Sequence, residues 1–125
     1  MSKITRFEEL DCWKAARVLA KNVLLISQSG PLANDWDSRG QFRRAAVSVM
    51  NNIAEGFGRF SDKDSLRFYD MARASGNEVK SMLYLFEDVN YLPLQTITQL
   101  HKEVDDAINL TGGFIRYIQK RLGNE

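Results

Sequence analysis

The chain is patterned at the helical period along most of its length. Phe68, Ala72, Ser75, Val79, Met82, Phe86 and Val89 recur at alternating steps of four and three. That rhythm is a heptad seam, as a helix packed on a neighbour requires. The opposite face of the same segment carries Asp70, Arg73, Asn77, Lys80 and Asp88, which suits water. Ser61 precedes the segment and Asp62 and Asp64 open it. A serine cap and early carboxylates satisfy free N–H groups and complement the helix dipole. The rhythm returns in Ile97, Leu100, Val104, Ala107, Thr111, Phe114 and Ile118, with Pro93 near the start, where a missing N–H costs little. Gly112-Gly113 is expected to interrupt this last helix by a bend or a close approach, at up to about 1 kcal/mol per glycine.

Nearer the N-terminus, Cys12, Ala16, Leu19, Val23 and Ile26 form a seam that Trp13, Ala20 and Leu24 widen. Ser29-Gly30-Pro31 is expected to stop that helix, and the loop is expected to run through Asn34. The second helix, from Asp35 to Phe57, carries the stripe Phe42, Ala46, Val49, Ile53 and Phe57. Val47, Met50 and Ala54 widen its apolar surface to about half the circumference, more than one bundle core needs. Either this helix is the most buried of the four, or Val47, Met50, Ala54 and Phe57 face another subunit. With short connections throughout, the pattern predicts an all-α, antiparallel up-down four-helix bundle, with helices at about 8–28, 35–57, 62–90 and 94–122 in one domain over residues 1–125.

Composition changes this picture little. Of 125 residues, 44% are hydrophobic and 26% charged, enough apolar content for a core without a metal or disulfide. Cys12 is the one cysteine, so no internal disulfide forms. The residues from Met1 to Glu9 lack the apolar stretch of a signal peptide, and no run approaches a membrane span. The expectation is a cytoplasmic protein with no membrane partner.

Catalytic and metal chemistry find no foothold in the sequence. His101, the one histidine, sits beside Lys102 and reads as a surface residue, with no histidine–carboxylate pairing like that of a di-iron bundle. Cys12 lies on an apolar seam, where a thiolate is disfavoured. Asp105 and Asp106 point about 100° apart on a helix, so they do not share a proton. Glu55-Gly56-Phe57-Gly58-Arg59 is glycine-rich but lacks the lysine and hydroxyl residue of a phosphate loop. Its glycines are expected to end the second helix through a positive φ. No catalytic residue, metal ligand or cofactor site is assigned, and the protein is expected not to be an enzyme.

Charge distribution says more than the net charge of +1. Arg39, Arg43, Arg44, Arg59, Lys63 and Arg67 gather on and just after the second helix. Arginine suits bidentate contact with phosphate or carboxylate. Two uses compete. The arginines pair with Asp37, Glu55, Asp62 and Asp64 within or between subunits, with Arg44, Ser48, Asn52 and Glu55 forming a polar network at a helix interface. Alternatively, Arg43, Arg44 and Arg59 contact nucleic-acid phosphates, assisted by Lys63 and Arg67 and with Phe57, Phe60 and Tyr69 nearby for stacking.

The run from Gln41 through Arg43-Arg44-Ala45-Ala46-Val47-Ser48-Val49, followed by Asn52-Ile53-Ala54-Glu55-Gly56-Phe57-Gly58-Arg59, is distinctive. It resembles the bacterial four-helix-bundle family of proteins encoded by intervening sequences in 23S ribosomal RNA genes. The resemblance continues through Ser61, Phe68, Ala72, Ser75 and Glu78, and includes Phe7 to Leu10, Trp13 and Ala16. Met50 departs from it: the family often has proline there, so the second helix should be straighter in this chain. The resemblance implies a small cytosolic bundle assembled as a homopentamer. It also implies kinship with accessory proteins of diversity-generating retroelements, which work with a reverse transcriptase and bind nucleic acid. The functional expectation is a non-enzymatic oligomer that binds nucleic acid or a nucleoprotein partner. The alternative is a scaffold or protein-interaction module whose arginines form salt bridges.

Overall fold

The periodic segments fold as helices, and their ends are set by specific side chains. The computed structural model describes residues 3–123. It contains α1 (Asp11–Ile26), a short α2 (Gly30–Asn34), α3 (Trp36–Phe57), α4 (Asp62–Asp88) and α5 (Leu94–Gly123). Among the described residues there is no strand. Ser61 caps α4, its hydroxyl accepting from the Asp64 N–H at 3.1 Å. Asp35 caps α3 in the same way through Ser38 at 3.1 Å, and it also accepts from the Tyr91 hydroxyl at 2.8 Å. These bonds hold its carboxyl below the usual range, the backbone N–H of Ser38 contributing most.

The four long helices close into a ring, with α1 and α4 each packed between α3 and α5. Cross-contacts show that neighbours are antiparallel. On α3 and α4, Gln41 meets Glu78 and Ser48 meets Ser75. On α4 and α5, Asp62 meets Arg121 and Lys80 meets Asp105. On α1 and α5, Asn22 meets Glu103. The predicted seams meet inside: Ala16, Leu19 and Val23, Phe42, Ala46 and Ile53, Ala72, Val79 and Phe86, and Val104 and Ala107 are fully buried. Phe42 and Phe86 pack edge to face with ring centroids 4.9 Å apart. Each large aliphatic or aromatic side chain buried this way contributes about 1.5–3 kcal/mol.

Several boundaries differ from the sequence pattern. The first helix begins at Asp11, because Phe7–Glu9 forms a separate 3-10 turn and Leu10 is extended. Phe7 then reaches Trp13 edge-on at 5.2 Å. The expected loop from Gly30 to Asn34 is the helix α2: Gly30 turns the chain at φ 75, and Pro31 sits in the first turn. A first-turn proline has no N–H to lose, so it opens a helix as readily as it ends one. Leu32 of α2 is fully buried.

Val89, the expected last position of its seam, lies exposed beyond the end of α4. Asn90 adopts φ 58, Tyr91 N–H reaches the Phe86 carbonyl at 2.9 Å, and Asn90 N–H reaches Glu87 at 3.2 Å. This is the paired C-terminal closure that left-handed residues make, completed by Tyr91 packing on Phe86.

Gly112 and Gly113 do not interrupt α5, which runs unbroken to Gly123. Nor do the glycines after Glu55 act through a positive φ, since Gly58 caps α3 at φ -83. Gly56 is needed for space. It is buried in the last turn of α3, where an added Cβ would lie 2.5 Å from Tyr69 Cε1 and 3.0 Å from Phe68 Cβ.

The wide apolar face of α3 is partly covered within the chain. Met50, Ala54 and Phe57 are half-buried and pack against the core, and Val47 is half-buried too. Both α1 and the 3-10 turn lie against α3. Its one largely exposed apolar side chain is Trp36, at 77%.

Two glycine substitutions should act in opposite directions. Gly56→Ala forces a methyl into Tyr69 and should destabilise by about 1–3 kcal/mol. Gly113→Ala meets only the end of the Arg116 side chain, at 3.7 Å, and should stabilise by about 0.5–1 kcal/mol. Thermal or denaturant melts of the two variants check the signs.

Candidate nucleic-acid interface

The basic residues fall into two groups along α3 and the turn after it. In the first, Arg43, Arg44, Val47, Ser48, Asn51, Asn52 and Glu55 line an open groove of about 470 Å³ on α3. Arg44 is exposed and folds back over Gly40, where an added Cβ would sit 3.0 Å from its Nη1. Arg43 is half-buried, with its Nε enclosed and without a hydrogen-bond partner. Such an enclosed donor costs stability that the rest of the fold must offset.

The expected polar network forms only in part. Asn52 Nδ2 donates to the Ser48 carbonyl and hydroxyl, both at 2.9 Å, and Ser48 shares a 2.8 Å hydrogen bond with Ser75 of α4. Arg44 and Glu55 border the groove without joining that network. Ser75 is the member that sequence reasoning missed, although a serine on an otherwise apolar seam is a readable signal.

The second group surrounds the α3–α4 turn. The Arg59 guanidinium lies 4.1 Å from the centre of the Phe68 ring, and Arg67 lies 5.0 Å from the same ring. Arg67 also pairs with Asp64 at 3.0 Å on the exposed surface. Asp62 is held by Arg121 through two bonds of 2.9 and 2.7 Å. Lys63 is exposed. Of the pairing expected between arginines and nearby acids, the Arg67–Asp64 contact is present. Among the described residues, Arg43, Arg44, Arg59 and Lys63 have no carboxylate partner.

The two groups do not form one patch, because the α3 helix separates Arg44 from the turn by about 20 Å at 1.5 Å per residue. Arg39 belongs to neither. Its Nη1 donates to the Ala33 carbonyl at 3.2 Å and its guanidinium lies over Trp36, so it ties α2 to α3. Arg121 was not legible as part of the turn, since it approaches from 59 residues away.

Other candidate chemistry resolves into packing. Burial pushes the Cys12 thiol up to about 11. His101 is half-buried rather than on the surface, its ring tilted against Tyr84 with centroids 4.6 Å apart, and its Nε2 is enclosed without a partner. Asp105 pairs with Lys80 at 2.7 Å, and Asp106 pairs with Lys102 at 3.1 Å. Among the described residues, no three His, Cys, Asp or Glu side chains gather as a metal site would require, and no helix is long and apolar enough to cross a membrane. A larger groove of about 970 Å³ lies between the end of α1 and the start of α5. At it, the buried Glu103 accepts from Asn22 at 2.9 Å and Gln99 at 2.8 Å.

A ring of four antiparallel helices with guanidinium-bearing surfaces and an apolar interior defines a small helical-bundle protein. More specifically, the chain belongs to the 23S rRNA-intervening sequence protein family, whose profile matches residues 8–113. The match takes in α1 through most of α5 and includes both basic groups, while Arg121 lies beyond it. No curated protein matches the chain.

The buried thiol gives a pH dependence of defined sign. An unfolded cysteine ionises near pH 8.5, while Cys12 in the folded chain keeps its proton to about 11. Between those values the unfolded state binds fewer protons, so stability should fall with rising pH, by at most about 1.4 kcal/mol per unit. Tyr69, pushed up to about 12 by burial, extends the fall to higher pH. Melting curves across this range should show the decline. Cys12→Ala should flatten its lower part, and native Cys12 should resist thiol reagents that modify the unfolded chain.

Proposed function

We propose that this chain is a non-enzymatic, oligomeric bundle that binds nucleic acid, or a nucleoprotein partner, through its arginine-bearing surface. The observation that carries this reading is the distribution of charge partners. Asp62 and Asp64, the acids in the first turn of α4, are engaged by Arg121 and Arg67. Arg43, Arg44, Arg59 and Lys63 have no carboxylate partner among the described residues. Guanidinium groups in that state suit phosphate oxygens, which accept two parallel hydrogen bonds. A homopentamer would repeat a modest patch around a ring and multiply its field, which reconciles the reading with a net charge of +1. The half-buried Val47, Met50, Ala54 and Phe57 are the residues proposed to meet a neighbouring subunit.

Binding of labelled RNA and DNA across a salt series tests the phosphate interactions. Affinity should fall linearly on a double-logarithmic plot. Replacing Arg43, Arg44 and Arg59 together with alanine should flatten the slope by up to about one for each phosphate no longer neutralised. Salt-independent binding, or a triple variant that binds as the parent does, contradicts the proposal.

Light scattering tests the assembly. The expected mass is five times that of the 14.3 kDa chain. A particle of single-chain mass would remove the multiplied field on which the reading depends.

A further inference from the structure

We propose that the α3–α4 turn takes single-stranded nucleic acid, with the Phe60 ring stacking on an unpaired base and Arg59 and Lys63 holding the flanking phosphates. This inference rests on the nucleic-acid reading above and adds the class of strand.

Phe60 is the most exposed large apolar side chain among the described residues, at 106% of its reference area. Its position makes that exposure unusual. It immediately precedes Ser61, the cap of α4. An apolar residue there commonly packs on the fourth residue of the helix and fixes the entry of the chain. In this helix that residue is Ser65, which is buried and donates its hydroxyl to the Ser61 carbonyl at 3.0 Å. Phe60 therefore has no apolar partner in the turn and contributes nothing to the core.

The surroundings of the ring favour an anionic, aromatic ligand. Arg59 is held in place by its contact with Phe68, so less freedom is lost when it meets a phosphate. Lys63 lies one helical turn beyond the ring with no carboxylate partner among the described residues. The two acids in the first turn of α4 are already engaged, Asp62 by Arg121 and Asp64 by Arg67. A solvent-facing ring flanked by cations is the arrangement that non-specific single-strand binders use, because every base has a stacking face. In a duplex those faces are occupied by neighbouring bases, so the ring discriminates for unpaired strands.

Fluorescence anisotropy on the full chain tests this with labelled oligo(U), oligo(dT) and a duplex, each about a dozen units long, at low salt. The parent should prefer both single strands over the duplex. Phe60→Ala and Phe60→Leu should each weaken single-strand binding about fivefold or more, and Phe60→Trp should retain it. Duplex binding should be unchanged in all three, as should melting temperature, because the ring is exposed. Equal affinity for single strands and duplex, with normal salt dependence, overturns the stacking role and leaves the phosphate interactions standing. So does a Phe60→Leu variant that binds as the parent does. Binding to none of the probes overturns both readings. A change of particle mass in Phe60→Ala assigns the ring to a subunit contact instead.

Discussion

The close approach of α4 to the end of α3 is the constraint on which the basic turn depends. Gly56 offers no side chain, so the Tyr69 ring lies directly against the α3 backbone, and Phe68 follows beside it. Two turns earlier, the Ser48 and Ser75 hydroxyls bridge the same pair of helices at 2.8 Å. Small residues at both levels let the helices come together where larger ones would hold them apart. Phe68 is thereby fixed with its ring available to Arg59 and Arg67. The surface chemistry thus follows from packing beneath it.

Charge around the turn is divided by distance along the chain. The acids that open α4 are satisfied by Arg67, three residues from Asp64, and by Arg121, which reaches Asp62 from the far end of α5. The Asp62 pair ties the start of α4 to the end of α5 and occupies a carboxylate that would otherwise draw Lys63 or Arg59. Exposed ion pairs of this kind add little stability. Their larger effect is to decide which cations remain available to an external anion.

The seams were legible because apolar positions every three and four residues leave few alternatives to a bundle. Ends and close contacts were less so. Pro31 signals a boundary without its direction, and it opens α2 where a stop was expected. Asn90 closes α4 through a left-handed backbone that its neighbours do not announce. Gly56 was visible as a glycine, but its reason is the ring of Tyr69, thirteen residues away and on another helix. The arginines were visible as a cluster in sequence. Their division into two groups needed the length of α3, and the partnership of Asp62 with Arg121 needed the folded ring. The breadth of the α3 apolar face is readable from spacing, whereas its partial cover by α1 and the 3-10 turn is not.

The alternation of the long helices also decides what lies beside what. Since α1 and α4 run one way and α3 and α5 the other, the start of α1, the α3–α4 turn and the end of α5 share one end of the bundle, while α2 and the α4–α5 connection share the other. Any polypeptide joined before the 3-10 turn or after α5 therefore leaves from the end of the bundle that carries Phe60 and Arg59. A reporter, affinity handle or surface anchor attached at either chain end would share that end of the bundle with the turn. One inserted between α4 and α5 would leave it open to solution.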